Sequence, residues 1–125
     1  YIAGVRVVWA FTKDIYSWVN SFLSQYDVRM IEKKDYIQNP KENGYRSLHL
    51  IVEIPIFLSD EKKWIKVEVQ FRTIAMDFWA SLEHKIRYKK NLSKERLDEI
   101  DKELLECAKI CKTLDEKMEE IKTGN

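Results

Sequence analysis

One segment of the 125-residue chain, WIKVEVQFR at residues 64–72, spaces polar groups evenly enough to do chemistry. Side chains alternate between the two faces of a β-strand, so this alternation of polar and apolar residues predicts a strand. The polar positions of one face are Lys66, Glu68, Gln70 and Arg72. Such a row either faces solvent, as on half-exposed antiparallel sheets, or lines a cleft. In a cleft, Glu68 is the natural base or metal ligand, because carboxylate oxygen suits the hard cation Mg²⁺.

A second candidate is the segment NPKENGYRSLH, residues 39–49, which places basic, aromatic and amide side chains around one glycine. Lysine and arginine can hold phosphates, Tyr45 can stack on a base, and Asn43 can bind its polar edge. The alternative is an ordinary basic loop with Tyr45 packed into the core. The residues available to a nucleotide in this segment are Lys41, Asn43, Tyr45, Arg46 and His49.

Arg6 interrupts an otherwise apolar segment, and a buried guanidinium without a partner is costly. It either pairs with a strand carboxylate such as Glu68 or reaches into a ligand cleft, and the sequence leaves both possibilities open. Lys34 is a weaker candidate for a phosphate contact. The chain contains no Walker loop, no dinucleotide-binding glycine motif, no G-x-S-x-G motif and no RNA-recognition motif.

Length and composition limit the class of protein. The chain is long enough for one domain with a real core, and 45% apolar residues with 15 aromatics exclude intrinsic disorder. Cys107 and Cys111 lie four residues apart with no histidine nearby, which excludes a disulfide framework and a zinc site. No apolar run approaches the roughly 20 residues needed to cross a bilayer, and we expect no signal peptide and a cytoplasmic location.

Charge is distributed unevenly, although the net charge is only +1. Residues 93–122 carry a net charge of −3 and the rest of the chain a net charge of +4. An anionic ligand is therefore expected on the first 92 residues, whereas the C-terminal segment resembles a solvated helix.

Four strands and three helices are predicted to position these groups. The strands cover residues 2–11, 28–31, 48–57 and 64–72; the first is interpreted as buried, and residues 33–47 form a loop after the second. Pro55 places the end of the third strand at a sheet edge. Thr12 is expected to cap a helix over 14–25, and Thr73 a helix over about 74–88. This second helix carries the apolar residues Ile74, Phe78, Ala80, Leu82 and Ile86, and Trp79 is interpreted, like the other three tryptophans, as a core or interface residue.

The last helix begins near Ser93 and carries the strongest periodic signal in the chain. Its apolar residues are separated by alternating steps of three and four: Leu97, Ile100, Leu104, Cys107, Cys111, Leu114, Met118 and Ile121. This heptad stripe fits a helix docked on its own domain and a subunit contact about equally well.

Three segments resemble the synthetase domain of the RelA/SpoT family. They are IAGVRVV (residues 2–8), KDYIQNPKENGYRSLHLIVEIP (34–55) and KVEVQFRTIAMDFWASLEHKIRYK (66–89). The combination of NGYRSLH and EVQFRT is highly specific, and the likeness is greatest to the small, single-domain alarmone synthetases. It implies an α/β (α+β) fold, a nucleotidyltransferase-like mixed sheet flanked by helices. Residues 1–90 would form the synthetase core, and 91–125 a C-terminal helix for packing or oligomerisation.

The resemblance also implies an activity. The β,γ-pyrophosphate of ATP would be transferred to the ribose 3′-OH of GDP or GTP, with Mg²⁺ as cofactor, to give the alarmones ppGpp and pppGpp. Such a transfer needs positioning and charge stabilisation more than a covalent nucleophile. Two alternatives remain open: a regulatory domain that binds guanine nucleotide or alarmone without catalysis, and a pyrophosphokinase acting on the 3′ end of tRNA.

Roles follow by motif position from the same resemblance. Tyr45 would stack on the guanine of the acceptor nucleotide. Glu68 would bind Mg²⁺ and activate the 3′-OH as a base, supported by Gln70 in the same cleft. Arg6 would lie against the adenine or phosphates of ATP. The remaining contacts to the acceptor nucleotide would come from Lys41, Asn43, Arg46, His49 and, as a further phosphate contact, Lys34.

Two departures from the family pattern bear on the donor site. The family has a Mg²⁺-binding aspartate before Ile2, where this chain has Tyr1, and a phenol cannot replace that carboxylate at neutral pH. The family's basic ATP-binding segment lies upstream of this strand, so we expect a synthetase core that lacks its N-terminal part. The resemblance further implies a homo-oligomer, often a tetramer with an alarmone-responsive site between subunits. Neither a membrane nor a nucleic acid is expected as a partner.

Overall fold

A computed structural model describes residues 2–88 and 91–124, and in them four strands form one mixed sheet. The strands are β1 (Ile2–Trp9), β2 (Arg29–Asp35), β3 (Leu48–Phe57) and β4 (Lys62–Thr73). Their order is β1-β4-β3-β2, with β1 parallel to β4 and the other neighbours antiparallel. The helices are α1 (Thr12–Leu23), α2 (Ile74–Arg87) and α3 (Lys94–Gly124). The predicted mixed sheet with flanking helices and a long C-terminal helix is confirmed.

Helix α1 covers one face of the sheet and builds the main core there. Alternation along the central strands sends their apolar side chains to this face. Ile15 and Val19 of α1 are fully buried against them. The buried strand residues of this core are Leu48, Leu50, Val52, Val69 and Phe71. With the apolar side chains directed to α1, the opposite face of β3 and β4 is left to polar groups.

Strands β1 and β2 differ from their predictions in exposure or extent, and β4 begins at Lys62, two residues earlier than predicted. Among the described residues β1 pairs only with β4, so it is an edge strand and not a buried one; Val5 is 49% and Val8 44% exposed. Strand β2 extends to Asp35 into the predicted loop, because its pairing with β3 continues as far as Asp35 and Leu48. Backbone pairing with a neighbour thus prevails over the polar character of this segment.

Strand β3 has the predicted bounds, and its proline has a structural reason. The pairing of β2 with β3 ends at Glu53, so at Pro55 only β4 still lies alongside. The missing N–H of Pro55 therefore removes no hydrogen bond to β2, as a proline within a sheet requires. This end of β3 is an edge on one side, as predicted.

The start of α2 is the predicted one, and the start of α1 is not. The Thr73 hydroxyl accepts a hydrogen bond from the backbone N–H of Met76 at 3.2 Å, a typical N-terminal cap. Helix α1 begins at Thr12 itself with Phe11 in the capping position, and no side chain caps it. A threonine before a helical pattern therefore predicts a helix better than it predicts its first residue.

Helix α2 directs one face into the protein and leaves an apolar face outside. The buried residues are Met76, Trp79 and Ala80, and the burial of Trp79 confirms its interpretation as a core residue. The Trp79 indole N–H donates to the backbone carbonyl of Leu104 at 2.9 Å, which directs this face toward α3. Four apolar residues of α2 form an exposed ridge on another side of the helix: Ile74, Phe78, Leu82 and Ile86.

Only the first half of the heptad stripe of α3 packs against the rest of the chain. Ile100 and Leu104 are buried against α2, which confirms docking on its own domain for this half. Ala108 packs against Gly44, whose positive φ of 99° and lack of a Cβ allow this approach. The second half of the stripe is exposed: Leu114, Met118 and Ile121. No helix within residues 2–88 and 91–124 is both long and apolar enough to cross a bilayer.

Thr73 links α2 to α3, and its removal tests this link. Besides capping α2, its hydroxyl donates to Asp115 Oδ2 at 2.7 Å in a buried setting. Thr73→Val should lower the free energy of unfolding by about 1–3 kcal/mol, because the cap is lost and a buried carboxylate loses its donor. Thr73→Ser keeps the hydroxyl and should retain most of the stability. Urea unfolding followed by circular dichroism measures both variants, and equal losses in the two would contradict this role.

Candidate active site

The sheet face opposite α1 carries a row of polar side chains that becomes steadily more buried along β4. Lys66 is exposed, Glu68 and Gln70 are half-buried, and Arg72 is buried. The strand register places Arg6 of β1 and His49 of β3 on either side of Gln70. The row is therefore neither a uniformly solvated face nor an enclosed one, since only its Arg72 end is covered.

A small recess opens beside Glu68. Gly4 is its partner on β1 and has no side chain, and nothing occupies the space where a Cβ would lie. The resulting recess has a volume of about 190 Å³ and is lined by Gly4, Val5, Arg6, Glu68 and Gln70. A carboxylate and a guanidinium thus border one open space. The guanidinium suits a phosphate group, and the carboxylate suits a cation bound to that phosphate.

His49 lies between Glu68 and the aromatic part of the site. Its Nδ1 is 3.9 Å from Glu68 Oε1, and its Nε2 is 3.1 Å from the Tyr45 hydroxyl. Burial lowers the pKa of His49; the Glu68 charge opposes this shift, and Lys41 and Arg72 add to it. The imidazole is therefore neutral at pH 7, and it serves as a hydrogen-bonding group instead of a cation.

Tyr45 is held by its hydroxyl. This oxygen accepts hydrogen bonds from Ser47 Oγ at 2.9 Å and from Arg72 Nη2 at 3.1 Å. The Lys41 ammonium lies 5.0 Å from the ring of Tyr36 and 5.2 Å from that of Tyr45, within range of a cation–π interaction. The rings that meet Tyr45 edge-on are Tyr36, His49 and Trp79. The phenol is therefore fixed in place before any ligand binds.

The loop before β3 opens onto a wide cleft. The backbone of Lys41 and Tyr45 closes a tight turn, and Asn43 Oδ1 accepts from the Tyr45 N–H at 3.0 Å. A cleft of about 860 Å³ lies beside this loop, with Lys41, Asn43 and Tyr36 in its lining. Since Tyr36 also packs against the rings of Tyr45 and His49, the cleft adjoins the polar face of the sheet.

Arg46 does not join this group. It is only 7% exposed and lies among residues of the loop, α2 and α3, near Trp79 and Cys111. Burial lowers its pKa, and the nearby carboxylate of Asp115 opposes that shift. The Arg46 side chain thus lies against α3 and away from the polar face of the sheet, and we leave it out of the proposed site.

Two further predicted residues lie at the borders of the group. Lys34 is the partner of His49 on β2, and its ammonium pairs with Glu32 at 3.1 Å. Arg6 has a side chain that is 56% exposed, with Nη1 3.8 Å from Asp77 Oδ1. The Arg6 contact answers the question left open by the sequence, because its carboxylate partner is Asp77 and not Glu68.

Sequence reasoning missed three members of the group: Tyr36, Arg72 and Asp77. Arg72 was recognised as part of the polar row but received no role, because a row on a strand does not reveal which end is covered. Its position directly before the Thr73 cap was the available signal. That position brings Arg72 to the first turn of α2, where Asp77 stands. Tyr36 gave no such signal.

Glu68 is the candidate metal ligand of the site. Its side chain is 36% exposed, so a carboxylate oxygen is accessible to Mg²⁺, which commonly keeps water and phosphate oxygens as its other ligands. Within the part of the chain that the structure describes, no three His, Cys, Asp or Glu side chains converge as a self-sufficient metal site requires. Tyr1, at the position where the resemblance implies a metal-binding aspartate, lies outside the described residues.

Comparison with known proteins identifies the family. The profile of a region found in RelA/SpoT proteins matches residues 1–93. GTP pyrophosphokinase YwaC of Bacillus subtilis (strain 168) is 54% identical over 121 residues, which are 97% of this chain and 57% of YwaC. The chain belongs to the RelA/SpoT family.

Solved structures narrow the likeness to the small alarmone synthetases. Small alarmone synthetase 2 from Bacillus subtilis superposes with a TM-score of 0.85 at 51% identity, over 98% of this chain and 65% of that one. Small alarmone synthetase 1 from the same organism, bound to its product pppGpp, superposes with a TM-score of 0.79 at 34% identity, over 94% of this chain and 58% of that one. The same synthetase bound to AMPCPP superposes with a TM-score of 0.67 at 30% identity, over 94% of this chain and 57% of that one. This chain spans about three fifths of the length of these relatives.

The pKa of His49 is a direct test of the electrostatics of the site. Its ring should titrate below the ordinary histidine value of 6.5, because burial outweighs the attraction of Glu68. A lowered pKa means that the unfolded chain binds a proton which the folded chain does not. The free energy of unfolding should therefore fall as pH falls below 6.5, and less so in His49→Gln.

Ring-proton NMR between about pH 4 and pH 8 measures this titration. Glu68→Gln serves as the control, since removal of the opposing charge should lower the pKa of His49 further. A titration of His49 at or above 6.5 in the wild type would contradict the described balance.

Proposed function

We propose that the protein is an alarmone synthetase, which transfers the β,γ-pyrophosphate of ATP to the 3′-OH of GDP or GTP. The observation that carries the proposal is the position of Glu68, between an aromatic and basic group around Tyr45 and an open recess bordered by Arg6. Two ligands can therefore approach one carboxylate from opposite sides. The complexes of small alarmone synthetase 1 with pppGpp and with AMPCPP support nucleotides as these ligands.

The acceptor nucleotide binds on the side of the loop before β3. Tyr45 stacks on the guanine, and such stacking contributes about 1–3 kcal/mol per base. Lys41 and Asn43 line the adjoining cleft, where an ammonium and an amide suit phosphate and guanine edge. His49 and Lys34 complete this side at its border with the sheet.

The donor nucleotide binds on the β1 side of Glu68. The exposed guanidinium of Arg6 is suited to grip the phosphates of ATP, because its planar donors match phosphate oxygens in pairs. The recess beside Gly4 lets the phosphate chain approach the strand backbone closely. The whole protein's donor site is thus proposed to include these residues.

The chemistry follows from this placement. Glu68 accepts the proton of the ribose 3′-OH, and the oxygen attacks the β-phosphorus of ATP. The bond from that phosphorus to the AMP oxygen breaks, so AMP leaves and the pyrophosphate stays on the 3′ oxygen. Gln70, one step further on the same face, orients the reacting groups. Glu68 would hold Mg²⁺ if it is bound, and the cation would supply charge neutralisation on the transferred group.

The two alternatives are not favoured. YwaC is named a GTP pyrophosphokinase, and small alarmone synthetase 1 is described as bound to its product pppGpp. A purely regulatory domain or a tRNA pyrophosphokinase is therefore an outcome to test, and not a second proposal. Because ATP and GDP are cytoplasmic nucleotides, we infer a cytoplasmic location.

The carboxylate of Glu68 is the decisive test of this function. Glu68→Gln keeps size and polarity but removes the base, so AMP formation from ATP, GDP and Mg²⁺ should fall by about 10²–10⁴-fold. Binding of GDP should survive. Mass-resolved chromatography detects AMP and the 3′-pyrophosphorylated guanosine.

Glu53→Gln is the matched control. Glu53 lies on β3 opposite Lys66, so it is on the same sheet face as Glu68 but one pair further from the site. It should leave the rate unchanged. A Glu68→Gln variant as active as Glu53→Gln would contradict the proposal, and AMP release that requires tRNA but not GDP would favour the tRNA alternative.

We also propose that a second copy of the chain covers an apolar groove between α2, α3 and the segment before α1. This groove of about 640 Å³ is lined by Phe11, Ile74, Phe78, Leu114, Met118 and Ile121. Exposed apolar surface of this kind marks an interaction site. Two observations favour a second copy: the stripe continues the heptad spacing of the buried half of α3, and its flanks carry mixed charges such as Lys117 and Glu120, so that two copies do not repel. A tetramer and an alarmone bound between subunits are the finer form of this proposal.

Substitution of this surface tests the assembly. Leu114→Lys with Met118→Lys should reduce the mass measured by light scattering to that of one chain, with the circular dichroism spectrum unchanged. Leu104 is unsuitable because it is buried against Trp79. Leu58→Lys, an exposed leucine in the β3–β4 turn, is the control and should leave the mass unchanged. An unaltered mass in the double variant would contradict the proposal.

A further inference from the structure

We propose that Arg72 and Asp77 are positioning residues that join the acceptor side of the site to the donor side; this inference rests on the proposed function. The two nitrogens of the Arg72 fork have different partners. Nη2 donates to the Tyr45 hydroxyl at 3.1 Å, and Nη1 donates to Asp77 Oδ1 at 3.1 Å. The same Asp77 oxygen lies 3.8 Å from Nη1 of Arg6. One chain of contacts therefore runs from the base-stacking tyrosine to the phosphate-binding arginine.

The burial of Arg72 gives this chain a rigid centre. Its side chain is only 9% exposed, whereas that of Arg6 is 56% exposed. Its third nitrogen, Nε, is buried and has no hydrogen-bond partner among the described residues. A buried N–H without a partner is rare in folded proteins. The guanidinium is thus oriented to satisfy Tyr45 and Asp77 at the expense of its own Nε.

On the acceptor side, Arg72 sets the orientation of the Tyr45 ring. The Tyr45 oxygen accepts from Arg72 and from Ser47, which leaves its own hydrogen for the neutral Nε2 of His49 at 3.1 Å. The carbon at the centre of the Arg72 guanidinium lies 5.5 Å from the Tyr45 ring centre. A planar stacking partner for guanine depends on the ring angle, and this angle is determined by the three groups around one oxygen.

On the donor side, Asp77 restrains Arg6. Asp77 stands in the first turn of α2, where the positive end of the helix dipole favours a carboxylate. Arg6 is a long, exposed side chain on an edge strand, so it gains orientation from this single carboxylate. Arg72 and Arg6 share one oxygen of Asp77, and a change at Asp77 must therefore affect both nucleotide sites.

A double-mutant cycle tests the acceptor half of the link. Arg72→Lys keeps the charge but loses the fork, and Tyr45→Phe keeps the ring but loses the oxygen. In the purified protein, Arg72→Lys should raise the KM for GDP about tenfold, and by less than about threefold when Tyr45→Phe is already present. Arg29→Lys, at the far end of the sheet above the Trp64 ring, is the matched control and should leave both KM values unchanged. Equal, independent effects of the two substitutions would overturn the link.

Asp77→Asn tests the other half and does not require a change in a buried residue. It should raise the KM for GDP and the KM for ATP together, whereas a rise for ATP alone would overturn the proposal. The double-mutant cycle of Arg72→Lys and Tyr45→Phe can also be measured through the Kd of a fluorescent GDP analogue. If the wild type binds this analogue but forms no AMP, the proposed function is wrong, and the coupling between Arg72 and Tyr45 can still be measured from the Kd values. If the Kd values show no coupling between the two substitutions, the proposed link is wrong.

Discussion

The structure depends on one constraint, the central position of β4 between β1 and β3. A strand bonded on both sides can direct its side chains only to the two faces of the sheet. Val69 and Phe71 go to the α1 core, and Glu68, Gln70 and Arg72 must therefore go to the opposite face. The same backbone that builds the core thus assembles the polar row, and its register with the neighbouring strands decides which groups meet at Glu68.

The helices after β4 extend this constraint to the rest of the chain. Thr73 ends the strand, begins α2 and binds Asp115 of α3 with one hydroxyl. The buried end of the polar row is therefore the place where sheet, α2 and α3 meet. This arrangement explains why Arg72 is covered while Glu68 remains open to ligands. It also leaves the apolar ridge of α2 and the second half of the α3 stripe exposed, where we propose that another copy binds.

The sequence predicts local features well and directions across the fold poorly. The bounds of β3, the Thr73 cap and the polar face of β4 follow from alternation and capping chemistry, which act within a few residues. The exposure of Phe78, the placement of Arg46 against α3 and the edge position of β1 depend on where α3 docks and on how strands are ordered. Neither property is encoded in local periodicity. The roles of Tyr45, Glu68 and Arg6 came from the family resemblance, and residue types alone supported a nucleotide site without naming the reaction.

We propose that two nucleotides bind on opposite sides of Glu68 on one sheet face. This arrangement can be tested by the amide NMR shifts on separate titration with GDP and with a non-hydrolysable ATP analogue, both with Mg²⁺. GDP should shift residues 41–49 and the ATP analogue residues 4–6, with Glu68 responding to both. Identical sets of shifted residues for the two nucleotides, or shifts confined to the groove between α2 and α3, would contradict it.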